Sequence, residues 1–318
     1  MLSIYLEDCG PQVIDQLKLE RCIGRLNEYW GGKMLSQITA AECRGYVKHR
    51  GKVGGARADL ETLRAAINHH AKENLHYGIV RITLPAKGPL RDRWLTRSEA
   101  AKLIWACWRY RERQTVHRGR HKGQLIATDR RPLRHLARFI LIGLYTGMRA
   151  GAIASASPYR EDGHSLVDLH QGIFYRLAIG RLATNKRQTP APVPPRLLAH
   201  MRRWARRGIV TSHFVEWQGA PVKSVKTGFK RAVKLAALWG KVTPHTLRHT
   251  AATWLMQRGV PIWQAAGYLG MPAEMVERTY GHHHPEYMRA AAQAITSKQS
   301  QNVSLVIPLV KQENESGK

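Results

Sequence analysis

Apolar residues recur at helical spacing along the first part of the chain. Between Pro11 and Trp30 they fall at Val13, Leu17, Cys22, Ile23, Leu26 and Trp30. Between Ala56 and Glu73, Leu60, Leu63, Ala66, Ile67 and His70 form the stripe of an amphipathic helix. Thr39 before Ala40-Ala41-Glu42 has the form of an N-cap with an acid in the first turn. Glycines at 51, 54 and 55 predict a chain break between these segments. Residues 1–88 read as a small helical domain with a basic polar face. Pro85, Gly88 and Pro89, set among Lys87, Arg91 and Arg93, mark exposed chain, and 89–95 is assigned as a linker.

The pattern changes after the linker. Thr96-Arg97-Ser98-Glu99 is a capping-box signature, with Leu103, Ile104 and Cys107 as the apolar side of the helix it opens. Residues 109–134, rich in Arg, Lys, His and Gly, are expected to be a loop or ragged helix end. They suit a solvated insertion and a phosphate-contacting loop equally. Leu136–Tyr145 predicts an apolar helix. Residues 164–179 alternate weakly about Gln171-Gly172, as two short antiparallel strands would. The prolines of 189–195 end a strand. Helices are expected over 195–206, 225–237, 243–258, 261–269 and 273–279. The fold class is mainly α with a small antiparallel β-sheet (α+β), the second domain covering 96–296. A polar tail, 297–318, is interrupted by the apolar stretch Ser304–Val310.

Composition narrows the function. The 318 residues suit about two domains, and an apolar fraction of 43% excludes a wholly disordered chain. Lys and Arg number 51 against 22 acids, a formal charge of +29, which points to a polyanionic partner and first to nucleic acid. The longest strongly apolar run, Phe139–Tyr145, is far shorter than the roughly 20 residues of a membrane span. The first ten residues lack the basic-then-apolar pattern of a secretory signal. The cysteines at 9, 22, 43 and 107 are scattered without a CxxC, so no zinc framework is expected and a reducing, cytoplasmic compartment is.

Four short segments carry candidate chemistry. In Thr243-Pro244-His245-Thr246-Leu247-Arg248-His249-Thr250, Thr243 suits an N-cap and Pro244 the first helical position. His245 and Arg248, three apart, share a face near the positive end of the helix dipole, a place that suits an anion. In Tyr145-Thr146-Gly147-Met148-Arg149 the glycine permits a sharp turn that would hold Arg149 for bidentate phosphate contact. Lys186, in Thr184-Asn185-Lys186-Arg187-Gln188, lies on a turn from which it could reach over a site and donate a proton. Tyr280 ends a short amphipathic segment before Gly281 and the run His282-His283-His284. Consecutive histidines point in different directions, so no metal is assigned. Each segment alone also reads as ordinary capped helix, hairpin tip or core tyrosine.

Taken in order, Arg149, Lys186, His245 with Arg248, and Tyr280 resemble the signature of the tyrosine recombinase (phage integrase) family. The resemblance covers about 95–290 well and 1–88 in layout only, as the helical core-DNA-binding domain. Lys186 stands seven residues before Val193-Pro194, and Tyr280 nine beyond Met271 in Leu269-Gly270-Met271, both as in the family. The resemblance implies that Tyr280 attacks a DNA phosphodiester to form a 3′-phosphotyrosyl intermediate. Arg149 and Arg248 would stabilise the phosphoryl charge, Lys186 would protonate the 5′-hydroxyl, and His245 would assist at the tyrosine. Neither a metal, a cofactor nor ATP is implied. The chain departs from the family at Met271, where His or Trp is usual and methionine can only pack, and at Ala152, where Glu is common. His249 and His282 are candidate substitutes for the missing donor. Activity is expected to survive Met271.

The function implied is site-specific recombination for integration or excision of a phage or other mobile element. The implied partners are double-stranded DNA at attachment sites and three further copies in a tetramer on DNA, with an accessory directionality factor as a candidate. Arg57, Arg64, Arg118, Arg120 and Lys122 are candidate DNA contacts. No additional arm-binding domain is expected before the helical one, and the tail is expected to dock in cis or on a neighbouring protomer. A bacterial, nucleoid-associated location follows from the same resemblance. Two other readings are a type IB topoisomerase-like enzyme and a DNA-binding relative without catalysis, which Met271 favours.

Overall fold

The computed structural model describes residues 1–13, 15–88, 93–181 and 188–296. Lys186 and the tail 297–318 lie outside them. The chain divides into two compact units, Met1–Arg91 and Asp92–Lys318.

The first unit packs four α-helices, α1 (Leu2–Cys9), α2 (Gln16–Trp30), α3 (Ala40–Arg50) and α4 (Val53–Lys72). Thr39 caps α3 as expected, its Oγ1 accepting from Glu42 N–H at 3.3 Å. The core gathers Cys22, Ile23, Leu26, Trp30, Tyr46, Leu60, Leu63 and Ile67. Within it lies one buried carboxylate. Asp59 accepts from Arg25 Nη2 at 2.7 Å, Arg50 Nε at 2.9 Å, Tyr46 Oη at 3.1 Å and Cys22 Sγ at 3.2 Å. Burial would raise its pKa, but these hydrogen bonds outweigh burial and hold it down at about 2. One expectation is corrected. Gly54 and Gly55 lie inside α4, and Gly51 alone turns the chain, in the left-handed region with φ +66°. The first residues form α1, in keeping with a helical domain.

The second unit opens with α5 (Arg97–Arg109), closed at its start by the expected capping box between Thr96 and Glu99. The basic stretch that follows is not a loop or a frayed helix end. It contains an antiparallel hairpin, β1 (Arg113–Thr115) with β2 (Leu125–Ala127), exposed along both strands. Two helices come next, α6 (Arg134–Thr146) and α7 (Ala150–Ala154). A sheet of order β3 (Ala156–Ser157), β4 (Ser165–Asp168), β5 (Ile173–Tyr175), β6 (Ala191–Pro192) packs beside them. Its β4–β5–β6 part is antiparallel, with Val167 opposite Phe174, and β3 joins in parallel. Helix α8 (Pro195–Arg206) begins at the proline, as predicted. A second small hairpin, β7 (Glu216–Trp217) and β8 (Ala220–Pro221), precedes α9 (Lys226–Leu235). The last described helices are α10 (Pro244–Gln257), α11 (Ile262–Leu269), α12 (Ala273–Tyr280) and α13 (Arg289–Thr296).

Helix α6 is the centre of this unit, with Leu136, Phe139, Ile140 and Ile142 fully buried. It packs against α10, and Gly143 makes the approach possible: a Cβ there would lie 2.8 Å from Leu247 Cδ1. A smaller core joins α10, α11 and α12 through Ala251, Ala252, Met256, Leu269, Met271, Val276 and Tyr280. The structure is mainly helical with small, largely antiparallel sheets, as the pattern predicted.

Candidate active site

Three chain segments from different parts of the sequence meet where α6, α10 and α12 pack. The first is the turn after α6. Gly147 caps that helix in the left-handed region at φ +60°, so it favours glycine. Space enforces the same choice, since a Cβ would overlap Leu269 Cδ2 and lie 3.0 Å from Ala251 Cβ. The turn places Arg149 at the N-cap of α7, half-buried.

The second segment is the start of α10. Thr246 Oγ1 accepts from Thr243 N–H at 3.0 Å, and Pro244 occupies the first turn. From this start the helix sends Arg248 inward, where it is 4% exposed. Its Nη1 donates to the Gly147 carbonyl at 2.7 Å and its Nη2 to the Gly270 carbonyl at 3.3 Å. Arg248 thus ties the first segment to the end of α11. Burial pushes its guanidinium down to about 10, and the charges of Arg149 and Arg176 act in the same direction. It stays charged at neutral pH. His245 is exposed at the helix start, whereas Arg248, three residues on, is buried. Its ring meets that of His249 edge-on, at 4.6 Å between centroids.

The third segment is α12, ending at Tyr280. The tyrosine is 5% exposed, and its hydroxyl lies 2.7 Å from His249 Nδ1. Burial pushes the hydroxyl up to about 12, with the Arg248 charge acting against that rise. Met271 belongs to the same apolar cluster as Tyr280 and supplies packing there.

Of the candidate residues, the structure brings Arg149, Arg248, His249, Tyr280 and Met271 to this one place. His282 is exposed in the 3₁₀ turn Gly281–His283, its ring against His283 at 4.0 Å. Arg118, Arg120 and Lys122 are exposed at the tip of the β1–β2 hairpin. Arg64 is exposed on α4, whereas Arg57 donates to the Pro85 carbonyl and pairs with Glu61 at 3.0 Å. Arg176 belongs to the site's electrostatics and was not singled out from the sequence. Among the described residues, Glu161, His164 and His213 bring metal-type donor atoms within 4.8 Å of one another. His213 Nε2 and His164 Nδ1 already face each other at 2.7 Å in a ring-to-ring hydrogen bond, which a bound ion would have to open.

The model of the phage integrase family matches residues 123–286, which contain all three segments. The chain belongs to the phage integrase family, the tyrosine site-specific recombinases, which are DNA strand transferases. No curated protein sequence matches it. Among solved structures it is similar to a Tn1549 transposon integrase in complex with transposon right end DNA, at 15% identity, TM-score 0.65, covering 93% of this chain and 99% of that one. It is also similar to a lambda integrase dimer bound to a COC′ core site, at 18% identity and TM-score 0.60, covering 88% of this chain and 77% of that one. A lambda integrase tetramer bound to a Holliday junction gives 19% identity and TM-score 0.59 over the same shares. At these identities the likeness is one of fold. No described helix is long and apolar enough to cross a membrane.

Proposed function

We propose that this chain cuts and rejoins duplex DNA at a specific site through Tyr280, for integration or excision of a mobile element. The observation that carries the reading is the Tyr280 hydroxyl, 2.7 Å from a histidine on the same helix that buries Arg248. A nucleophile, a group that can take its proton and a phosphate-binding cation are thereby fixed by a helix and its neighbour.

Tyr280 Oη attacks the phosphorus, and its proton passes to His249 Nδ1, with His245 behind it. The bond from phosphorus to the 5′-oxygen breaks, leaving a 3′-phosphotyrosyl link. Arg149 and Arg248 neutralise the non-bridging oxygens as charge builds on them. Lys186 protonates the departing 5′-oxygen. Attack by the 5′-hydroxyl of another strand reverses these steps, so the energy of the phosphodiester is conserved without a nucleotide cofactor.

Unit 1 serves as the core-DNA-binding domain in this reading, with the exposed Arg64 among its contacts, and the basic β1–β2 tip adds phosphate contacts through Arg118, Arg120 and Lys122. The assembly is a tetramer on two DNA sites, and the tail beyond 296 links protomers. The protein works at the bacterial nucleoid.

Covalent trapping tests the reading. Wild type and Tyr280→Phe are incubated with nicked duplexes from the DNA flanking the gene. An SDS-resistant adduct with wild type alone supports the tyrosine nucleophile. Tight binding with no adduct, on a footprinted site, replaces it with the non-catalytic reading.

A further inference from the structure

Arg176 follows β5, two residues beyond Phe174. Alternation along an extended chain turns both side chains the same way, and Phe174 is fully buried while Arg176 is 4% exposed. Its Nη2 donates to the Tyr268 carbonyl. Its Nε and Nη1 are buried without a hydrogen-bond partner. Tyr268 belongs to the last turn of α11, and Gly270 just beyond gives its carbonyl to Arg248. Two guanidiniums are therefore gathered at the carbonyl end of one short helix. That end carries at most about half a negative charge.

The charged and titratable groups that act on Arg176 are Tyr268 and Arg149, and those acting on Arg248 are Arg149, Arg176 and Tyr280. None of these is a carboxylate. A buried cation lacking a counter-anion destabilises the fold that holds it, and unpartnered buried N–H groups add to the penalty. Asp59 shows how the same chain treats buried arginine contacts elsewhere, with one carboxylate serving Arg25 and Arg50. At Arg176, among the described residues, no such carboxylate acts, beside the two arginines that the phosphate chemistry uses.

We propose that Arg176 is a third arginine of the phosphate site, its charge left unmatched in the free protein and matched when a DNA phosphodiester enters beside Arg149 and Arg248. The inference rests on the recombinase reading above for the identity of the anion. On this proposal the charge supplied by Arg176 would also offset the hydrogen-bond donor that methionine lacks at position 271.

The alternative role is a brace, in which Arg176 only holds the Tyr268 carbonyl. Thermal unfolding of the full chain separates the two. Wild type, Arg176→Met and, as a second neutral variant should the first fail to fold, Arg176→Gln are compared in sodium chloride and in inorganic phosphate of equal ionic strength. Arg207→Met, at an exposed position, keeps the site and controls for the loss of one positive charge as such, so it should retain the phosphate gain. Removing an unmatched charge is expected to raise Tm in chloride by about 2 °C or more and to abolish the phosphate-specific gain seen with wild type. The rate of adduct formation should fall at least about tenfold, as loss of a transition-state charge contact does. A neutral variant that melts lower in chloride yet keeps the phosphate gain would establish the brace and overturn the inference. So would a wild type that phosphate stabilises no more than it does Arg176→Met. The phosphate measurement needs neither the DNA site nor the nucleophile. A phosphate gain that depends on Arg176, together with no adduct from wild type, would remove the proposed function and keep the anion site.

Discussion

The hydrogen bond between Tyr280 and His249 makes a quantitative demand on catalysis. Burial holds the Tyr280 hydroxyl at about 12 rather than its ordinary value of 10. The difference adds about 2.7 kcal/mol to formation of the phenolate. At pH 8 only about one hydroxyl in 10⁴ would be ionised without help. A group that accepts the proton during attack avoids that cost, and a positioned base contributes roughly 10²–10⁴-fold. His249→Gln keeps a polar side chain at this position but cannot take a proton at neutral pH. Single-turnover cleavage of a nicked duplex at pH 7.5 should slow by about 10²–10³-fold, with DNA affinity unchanged. The pH profile supplies the sharper test. Because the tyrosine pKa is raised, its phenolate fraction is still climbing throughout the working range. The variant, dependent on that fraction, should gain about tenfold in rate per pH unit between 7 and 9.5, and wild type much less. A variant within about threefold of wild type, or with the same pH slope, would refute the assignment of His249 as proton acceptor.

Five further outcomes are expected. Gly147→Ala forces a left-handed residue to carry a side chain into Leu269 and Ala251, and should destabilise the second unit by about 2 kcal/mol or more in denaturant unfolding. Asp59→Ala removes the shared acceptor of Arg25, Arg50 and Tyr46 and should cost about 2–3 kcal/mol, since both arginines keep part of their hydration. In wild type, the Asp59 carboxyl sits at about 2 in the folded protein against an ordinary 3.8, so its contribution is present above pH 4 and lost as pH falls toward 2, which acid unfolding of the first unit would register. Met271→His should leave adduct formation similar or faster, and a complete loss would mean that packing against Tyr280 is required. Truncation at Ser300 should weaken assembly on DNA and spare monomer folding; normal assembly, read by native gel shift, would sink the proposed role of the tail.

The parts of this molecule legible in its sequence are those fixed by neighbouring residues. Thr96 with Glu99, Pro195 and Gly147 each set a helix boundary through local chemistry, and the structure uses each for that purpose. Where local signals were weak or ambiguous, the reading failed. The β1–β2 hairpin is exposed on both faces, so its strands carry no apolar alternation to detect. Gly54 and Gly55 resemble a break, but burial of Leu60, Leu63 and Ile67 outweighs the roughly 1 kcal/mol that each glycine costs a helix.

The candidate site divides along the same line. Its motifs, the Gly147 turn, the α10 start and Tyr280, could be found one by one. The pairing of Tyr280 with His249 rather than His245 could not, because it depends on how α12 crosses α10, 31 residues back in the chain. Arg176 is the instructive case. It lies outside every motif, and its contact is with a carbonyl 92 residues away. Its parity with Phe174 on an extended segment puts a cation on the inward face, a signal the sequence carried and that went unused. A charge on the core side of a strand contradicts the local pattern, and such contradictions persist where the fold gains something other than stability from them. On the proposal made for Arg176, that inward register marks where the phosphate enters.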